Sequence, residues 1–398
     1  MTTVENNKKF ADRFDWTLAF IVLLLFIVSL FAISSAQTSG QYPINFIPRQ
    51  VLWYIVGALI IGFAMLFEPE QYKKMSWIFY GFGILVLIAL VLAPGGQGQI
   101  AEIRGGAKSW FHLPGVGSIQ PSEFMKTIFI LTMARMISEH HEKFVIKTVK
   151  TDVLLLGKII STVLVPLLFI MQQPDLGTAL VFLAITAAMI IVGGVTWKLI
   201  VPIFAGTAVL GGFILWMAVF MQEFLSDKFG FKAYQFGRVY SWLDPYSFST
   251  FEGYNLIKAM TAIGSGEITG KGYQGREVYV PENHTDFIFT VIGEEYGFIG
   301  ASIVVSLFFL LIYHLTKITL QLKDPFSTYV CAGIIAMITF HVFQNIGMTI
   351  QLLPITGIPL PFISYGGSSL MGNMLALGLV FSMKFHHRTY MFGSSQDD

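Results

Sequence analysis

The sequence predicts an all-α protein that crosses a membrane ten times, and three observations predict it. The 398-residue chain is 54% hydrophobic and only 12% charged, with a mean hydropathy of +0.67; soluble domains run near a quarter charged. Its apolar residues fall in separate runs of about 20, the length that carries a helix across a hydrocarbon core. Lys and Arg collect in alternate connections between those runs, as the positive-inside rule demands of a threaded chain. The 37 phenylalanines suit lipid-facing and interfacial positions.

The first run, Trp16–Ser35, follows Lys8, Lys9 and Arg13. A secretory signal shares that basic start, and Ser34–Ala36 mimics a cleavage site. The run is too long for a signal core and further spans follow, so it reads as a retained helix. Val51–Phe67 and Met75–Ala93 come next. Pro121–Ser138 carries Lys126 and Arg135, and Val153–Met171 carries Lys158. Leu176–Val195, Leu199–Met221, Tyr296–Leu315, Tyr329–Ile350 and Ser369–Phe385 complete the set.

Ten spans put both termini on one side. Placing them inside gathers Lys8, Lys9, Arg13, Lys73, Lys74, Arg135, Lys143, Lys147, Lys150, Lys158, Lys198, Lys317, Lys323, Lys384 and Arg388 there. The short outer loops then hold only Arg49, Arg104 and Lys108, and the long outer loop holds six more, which count little in this rule. The predicted topology is N-in and C-in. Outer loops fall at about 36–50, 94–120, 222–285 and 351–368, the largest between spans seven and eight. Residues 1–398 read as one polytopic domain, with no soluble module, low-complexity linker or clear repeat. A net charge of +1 gives no reason to expect nucleic acid, and the single cysteine, Cys331, excludes an intramolecular disulfide.

Ionisable groups at membrane depth are expensive and usually face a cavity. Here they cluster toward the outer side: Glu123, Lys126, Asp175, Asp286, Glu294 and Glu295, with His341, Gln344 and Asn345. Glu123 and Lys126 are three apart and share a helix face, the spacing of an ordinary ion pair at a helix start. Asp286 tops the eighth span. On a straight helix Thr290, Gly293, Gly297 and Gly300 lie within about 40° of its direction, which predicts a bare furrow able to seat a lipid chain or another helix. A first-turn aspartate that only favours the helix dipole explains the local pattern equally. Glu294 and Glu295 point about 80° and 180° away, so neither pairs with Asp286 on one helix.

Before it, Gly264–Arg276 combines five glycines with Lys271 and Arg276. Such a segment can wrap a phosphate through backbone N–H groups, or serve as a plain surface loop. It is not a P-loop, because Gly272 follows the lysine. In the last outer loop, Leu353–Ser369, three prolines and three glycines forbid a regular helix. Irregular backbone near a membrane must be buried in protein or line a wet cavity, which predicts a re-entrant hairpin closing a pocket.

Several strings occur in order over most of the chain: GGAKSW at Gly105–Trp110, QPSEFMK at Gln120–Lys126, QQPDLGT at Gln172–Thr178, HTDFIF at His284–Phe289, GEEYG at Gly293–Gly297 and GIPLPFISYGG at Gly357–Gly367. At these motifs the sequence resembles the SEDS family (shape, elongation, division, sporulation). The compact N-terminus and Tyr279–Asp286 are most similar to its RodA branch. The resemblance implies a fold with some similarity to GT-C enzymes and an inverting glycosyltransferase. That enzyme polymerises lipid II, a disaccharide-pentapeptide on undecaprenyl pyrophosphate, at the outer face, in rod elongation. The family's essential aspartate matches Asp286, its outer-loop tryptophan Trp110, and its cavity Glu–Lys pair Glu123 and Lys126. Implied partners are lipid II, a class B penicillin-binding protein transpeptidase and membrane proteins of the elongation complex.

Glycosyl transfer to a sugar hydroxyl needs a base within hydrogen-bond reach. Pyrophosphate is already a good leaving group, so one carboxylate suffices where hydrolysis usually shows two. The departing charge calls for a cationic clamp, or Mg²⁺ or another divalent cation, and no organic cofactor. Arg104, Lys108, Lys126, Lys271 and Arg276 are the outer-side candidates, with Ser364 as a further substrate contact. Trp110 either stacks on a sugar or anchors at the interface. A base at the desolvated membrane edge is expected to have a raised pKa. The rival readings are a transporter or flippase of lipid-linked precursors, and a non-catalytic scaffold for a transpeptidase. The first lacks the inverted repeats common in transporters, and the second needs no polar pocket at Asp286.

Overall fold

A computed structural model describes residues 10–39, 45–96, 99–104, 107–113, 117–221, 233–248 and 252–387. Every predicted span is a helix. After the short α1 (Phe10–Arg13) come α2 (Trp16–Ala36), α3 (Ile47–Ala64), α4 (Pro69–Leu92), α5 (Pro121–Lys143), α6 (Val149–Gln172), α7 (Leu176–Val192) and α8 (Trp197–Phe220). The long connection after α8 contributes α9 (Ala233–Leu243) and α10 (Glu252–Ser265), and α11 (Ile288–Gln321), α12 (Pro325–Thr349) and α13 (Gly367–Phe385) follow. Eight of the described helices are long and apolar enough to cross a membrane. Helix α7 is apolar but has 17 residues, and α5 has 23 residues interrupted by charge.

Local chemistry explains where helices begin. Asp15, Asp175 and Asp324 each accept a first-turn backbone N–H of α2, α7 and α12 with their side chains. Proline stands in the first turn of α3, α4, α5 and α12, where its missing N–H costs nothing.

Helix α5 lies at the centre, against α4, α6, α7, α12 and α13; α13 packs on α3, and α11 on α2 and α12. The distribution of side chains is that of a protein solvated by lipid. Phe20, Leu59 and Phe63 face outward, while Lys126 and Asn345 are buried. Helix α8 is the least embedded span, with 6% of its apolar window buried.

The connections expected on the outer side hold more structure than composition implied. Three short strands, β1 (Ala101–Arg104), β2 (Ala107–Leu113) and β3 (Gly117–Ile119), pair antiparallel into one sheet in that order. Glu102 stands opposite Trp110 and Phe111 opposite Ile119. Residues 222–232 and 249–251 of the long loop lie outside the described residues.

The straight glycine stripe below Asp286 is overturned. Asp286 sits in a turn ahead of α11, and Gly297 breaks that helix at φ +60°, ψ −156°. The break releases the bonds that Phe298 and Ile299 would donate to Glu294 and Glu295. The glycine-rich segment replaces all four partners. Phe298 N–H donates to Glu267 O and Ile299 N–H to Ile268 O, while Lys271 and Gly272 N–H donate to Glu294 and Glu295 O, at 2.9–3.1 Å. The furrow is therefore filled by chain rather than by lipid. The backbone N–H groups of Lys271 and Gly272, in a segment read as either a phosphate cradle or a plain surface loop, splint a broken helix, because an unsatisfied backbone group at this depth is costly.

The glycines are needed for that approach. A Cβ on Gly270, at φ +79°, would meet Glu295 O at 2.1 Å, whereas one on Gly264 meets open space. Gly270→Ala is expected to cost at least about 2 kcal/mol. The check is its thermal unfolding midpoint in detergent beside that of Gly264→Ala, which should stay near wild type.

Candidate functional site

The polar residues converge where α5, α12, the turn 281–287 and the segment 351–366 meet. Lys126 is 1% exposed and donates to both carboxylate oxygens of Glu123 at 2.9 Å. Its third N–H goes to Nε2 of His341 on α12, at 3.0 Å. An ammonium only donates, so Nε2 accepts and the imidazole is neutral with its proton on Nδ1. One turn further along α12, Asn345 donates to the backbone oxygens of Asp286 (2.7 Å) and Ile358 (2.8 Å). A polar column thus runs from the Glu123–Lys126 pair through His341 and Asn345 to the turn that carries Asp286.

Asp286 is partly exposed, and its Oδ2 faces Gly357, where a Cβ would come within 3.3 Å. Gly357 has φ +72°, so glycine serves both the turn and the close approach of the carboxylate. The segment 351–366 is irregular and largely buried, as its prolines predicted. Its carbonyls are satisfied from three helices. Ser29 donates to Ile363 O, Tyr54 to Phe362 O, and Gln344 to Pro354 O.

Ser364, expected to touch substrate, is buried, and its hydroxyl donates to Thr285 O (2.7 Å) and accepts from Leu360 N–H (2.8 Å). It pins the loop to the Asp286 turn, because a buried hydroxyl must find its partners inside the fold. Lys108 turns to the C-terminus of α4, donating to Val91 O (2.9 Å) and Ala93 O, where the helix dipole favours a cation. Trp110 is half-buried on β2. Arg104 ends β1, and its side chain lies outside the described residues.

Lys271 and Arg276 do not converge on Asp286. Lys271 bonds Glu294 (2.8 Å) and Glu277 (3.0 Å). Burial lowers its pKa, but the hydrogen bonds to Glu294 and Glu277 outweigh this and raise it. Arg276 pairs with Glu295 at 3.3 Å and donates to Ser35 O at 2.6 Å. Burial lowers its pKa against the pull of Glu295 and Glu294. Each cation is held beside a buried glutamate exposed by 1% or less, so the clamp they were expected to form serves the broken helix.

Sequence reasoning named His341 and Asn345 only as members of a polar cluster. It did not find Gln120, whose Nε2 donates to Asp175 Oδ2 at 2.8 Å and whose N–H donates to Ser368. The strings QPSEFMK and QQPDLGT, each a Gln-Pro pair with an acid one or two residues on, held the signal available. Among the described residues no three His, Cys, Asp or Glu side chains gather into a cation site.

His284 lies in the turn beside Asp286, stacked on Phe46 with centroids 4.7 Å apart. Burial pushes its pKa below 6.5, opposed by the charge of Glu282. Between the folded and unfolded values the unfolded chain binds more protons, so this group withdraws stability as pH falls through 6.5. The midpoint of wild type should drop more between about pH 7 and about pH 5 than that of His284→Phe. Equal slopes would remove His284 as the cause.

The family model for the FtsW/RodA/SpoVE cell cycle proteins matches residues 12–389. The chain is 34% identical to stage V sporulation protein E of Bacillus subtilis, over 94% of this chain and 98% of that one. It is 33% identical to the peptidoglycan glycosyltransferase MrdB of Escherichia coli K12, over 98% of each. Its fold matches a chain from a peptidoglycan synthase complex that coordinates polymerization and crosslinking, with TM-score 0.75, 25% identity and coverage of 93% of this chain and 97% of that one. It also matches crystalline Thermus thermophilus RodA with TM-score 0.66, 23% identity and coverage of 95% and 98%. A match over nearly the whole length, together with the helical membrane fold, makes this chain a member of the FtsW/RodA/SpoVE (SEDS) family of multi-pass membrane proteins.

Proposed function

We propose that the protein is a glycosyltransferase that polymerises lipid II into glycan strands at the outer face of the cytoplasmic membrane. The observation that carries this reading is the placement of Asp286. It is a partly exposed carboxylate at the mouth of a buried polar column, on a turn gripped by Asn345 and Ser364. A fixed turn holds a base in one attack geometry. MrdB, 33% identical over almost the whole chain, is named a peptidoglycan glycosyltransferase.

In this reading Asp286 takes the proton of the acceptor's GlcNAc 4-hydroxyl. The oxygen attacks the anomeric carbon of the donor, the bond to undecaprenyl pyrophosphate breaks, and configuration inverts. All three Lys126 donors are taken by Glu123 and His341, so the pair shapes the polar wall below the reacting atoms. With no protein cage among the described residues, a divalent cation would arrive with the pyrophosphate, and we assign no step to it. The likeness to a synthase-complex chain supports a class B penicillin-binding protein as partner in elongation. The 34% identity to a sporulation protein favours a sporulation or division role as the second reading.

The test is elongation of lipid II by purified protein in detergent, alone and with the transpeptidase. Detergent abolishes the two compartments a flippase needs, so glycan product supports polymerisation, and its absence in both conditions overturns it.

A further inference from the structure

At the basic end of the bundle, away from Asp286, a cavity of about 350 Å³ opens between α4, α5 and α6. Its walls include Trp77, Glu139, Lys143, Lys158, Ser161 and Thr162. Lys158 is the tenth residue of α6, roughly 13 Å along its axis from the first. It is only partly exposed and has no carboxylate partner among the described residues. The nearby acids are already taken: Glu139 binds Arg135 at 2.6 Å and Glu142 binds Lys73 at 2.6 Å. Arg135 also donates to the carbonyls of Lys73 and Lys74, which holds it beside Glu139 and offsets that carboxylate's charge at the cavity wall.

An ammonium left without a counter-ion at this depth is costly, and a long lysine relieves the cost by reaching toward the headgroup layer. The anion found at that level is a lipid phosphate. The surroundings fit one. Trp77 is 42% exposed beside the cavity, the usual station of tryptophan at a headgroup boundary. Along α6, Leu154, one turn before Lys158, and Val165, one turn after Ser161, are exposed apolar side chains flanking the cavity.

We propose that this cavity binds the phosphate of an anionic phospholipid of the inner leaflet, with Lys143 and Lys158 as its cationic contacts. The lipid would wedge the α4–α5–α6 junction, where Tyr80 already bonds Thr162 O at 2.6 Å. The site is independent of the proposed glycosyl transfer.

The experiment is native mass spectrometry of the full chain taken from nanodiscs of phosphatidylcholine with or without phosphatidylglycerol. Wild type should retain phosphatidylglycerol in preference to phosphatidylcholine. Lys143→Gln with Lys158→Gln should weaken retention about thirtyfold. Lys147→Gln with Lys150→Gln removes equal charge outside the cavity and should leave retention unchanged, as should Lys143→Arg with Lys158→Arg. Equal retention by the cavity variant, or an equal loss in the Lys147 and Lys150 control, overturns the site. So does displacement of the lipid by inorganic phosphate at matched concentration, which would mark a site for free anions.

Discussion

Asp286→Asn should lower the rate of lipid II polymerisation by about 10²–10⁴-fold, the range typical for loss of a positioned general base. Asparagine has nearly the same shape, and the turn is held through backbone oxygens. Asn345 binds Asp286 O and Ser364 binds Thr285 O, so both grips survive the substitution. The fold and the binding of lipid II should therefore persist, and the loss should fall on turnover rather than on the Michaelis constant. Asp286→Ala should behave alike. Wild-type turnover in either variant removes Asp286 as the base. A matching fall in thermal stability would mean that the residue holds the turn instead.

The second large effect concerns the buried pair. Glu123→Gln leaves the Lys126 charge at 1% exposure with His341 and a neutral amide. Removing one member of a buried ion pair costs about 3–5 kcal/mol, because the remaining charge is stranded in low dielectric. Glu123→Gln with Lys126→Met removes both ions together and should recover most of that stability. Thermal unfolding of the three proteins in one detergent measures this. A double variant no more stable than Glu123→Gln would show that pairing is not what these residues supply. Stability recovered without activity would assign the pair to the reaction.

Much of the fold was legible because a span is a local property. Whether a run of about 20 residues enters a bilayer depends on the transfer free energy of that run. Hence each expected span is a helix, and the boundaries of α2 and α13 moved by only a residue or two. The Glu123–Lys126 pair was legible for the same reason, being three residues apart on one helix. The small sheet at 101–119 was not, because its strands are short and their pairing depends on a neighbour.

What the amino-acid sequence by itself determined is which segments are apolar enough to be helices in a membrane, which connections are rich in Lys and Arg, and that Asp286 stands just before one of those helices. Tertiary structure alone decided how the polar groups are spent. Lys126 meets His341 across 215 positions, Ser35 meets Arg276 across 241, and the glycine-rich loop closes the break at Gly297. A buried donor must find an acceptor wherever the fold brings one, and that choice is made between segments far apart in the chain.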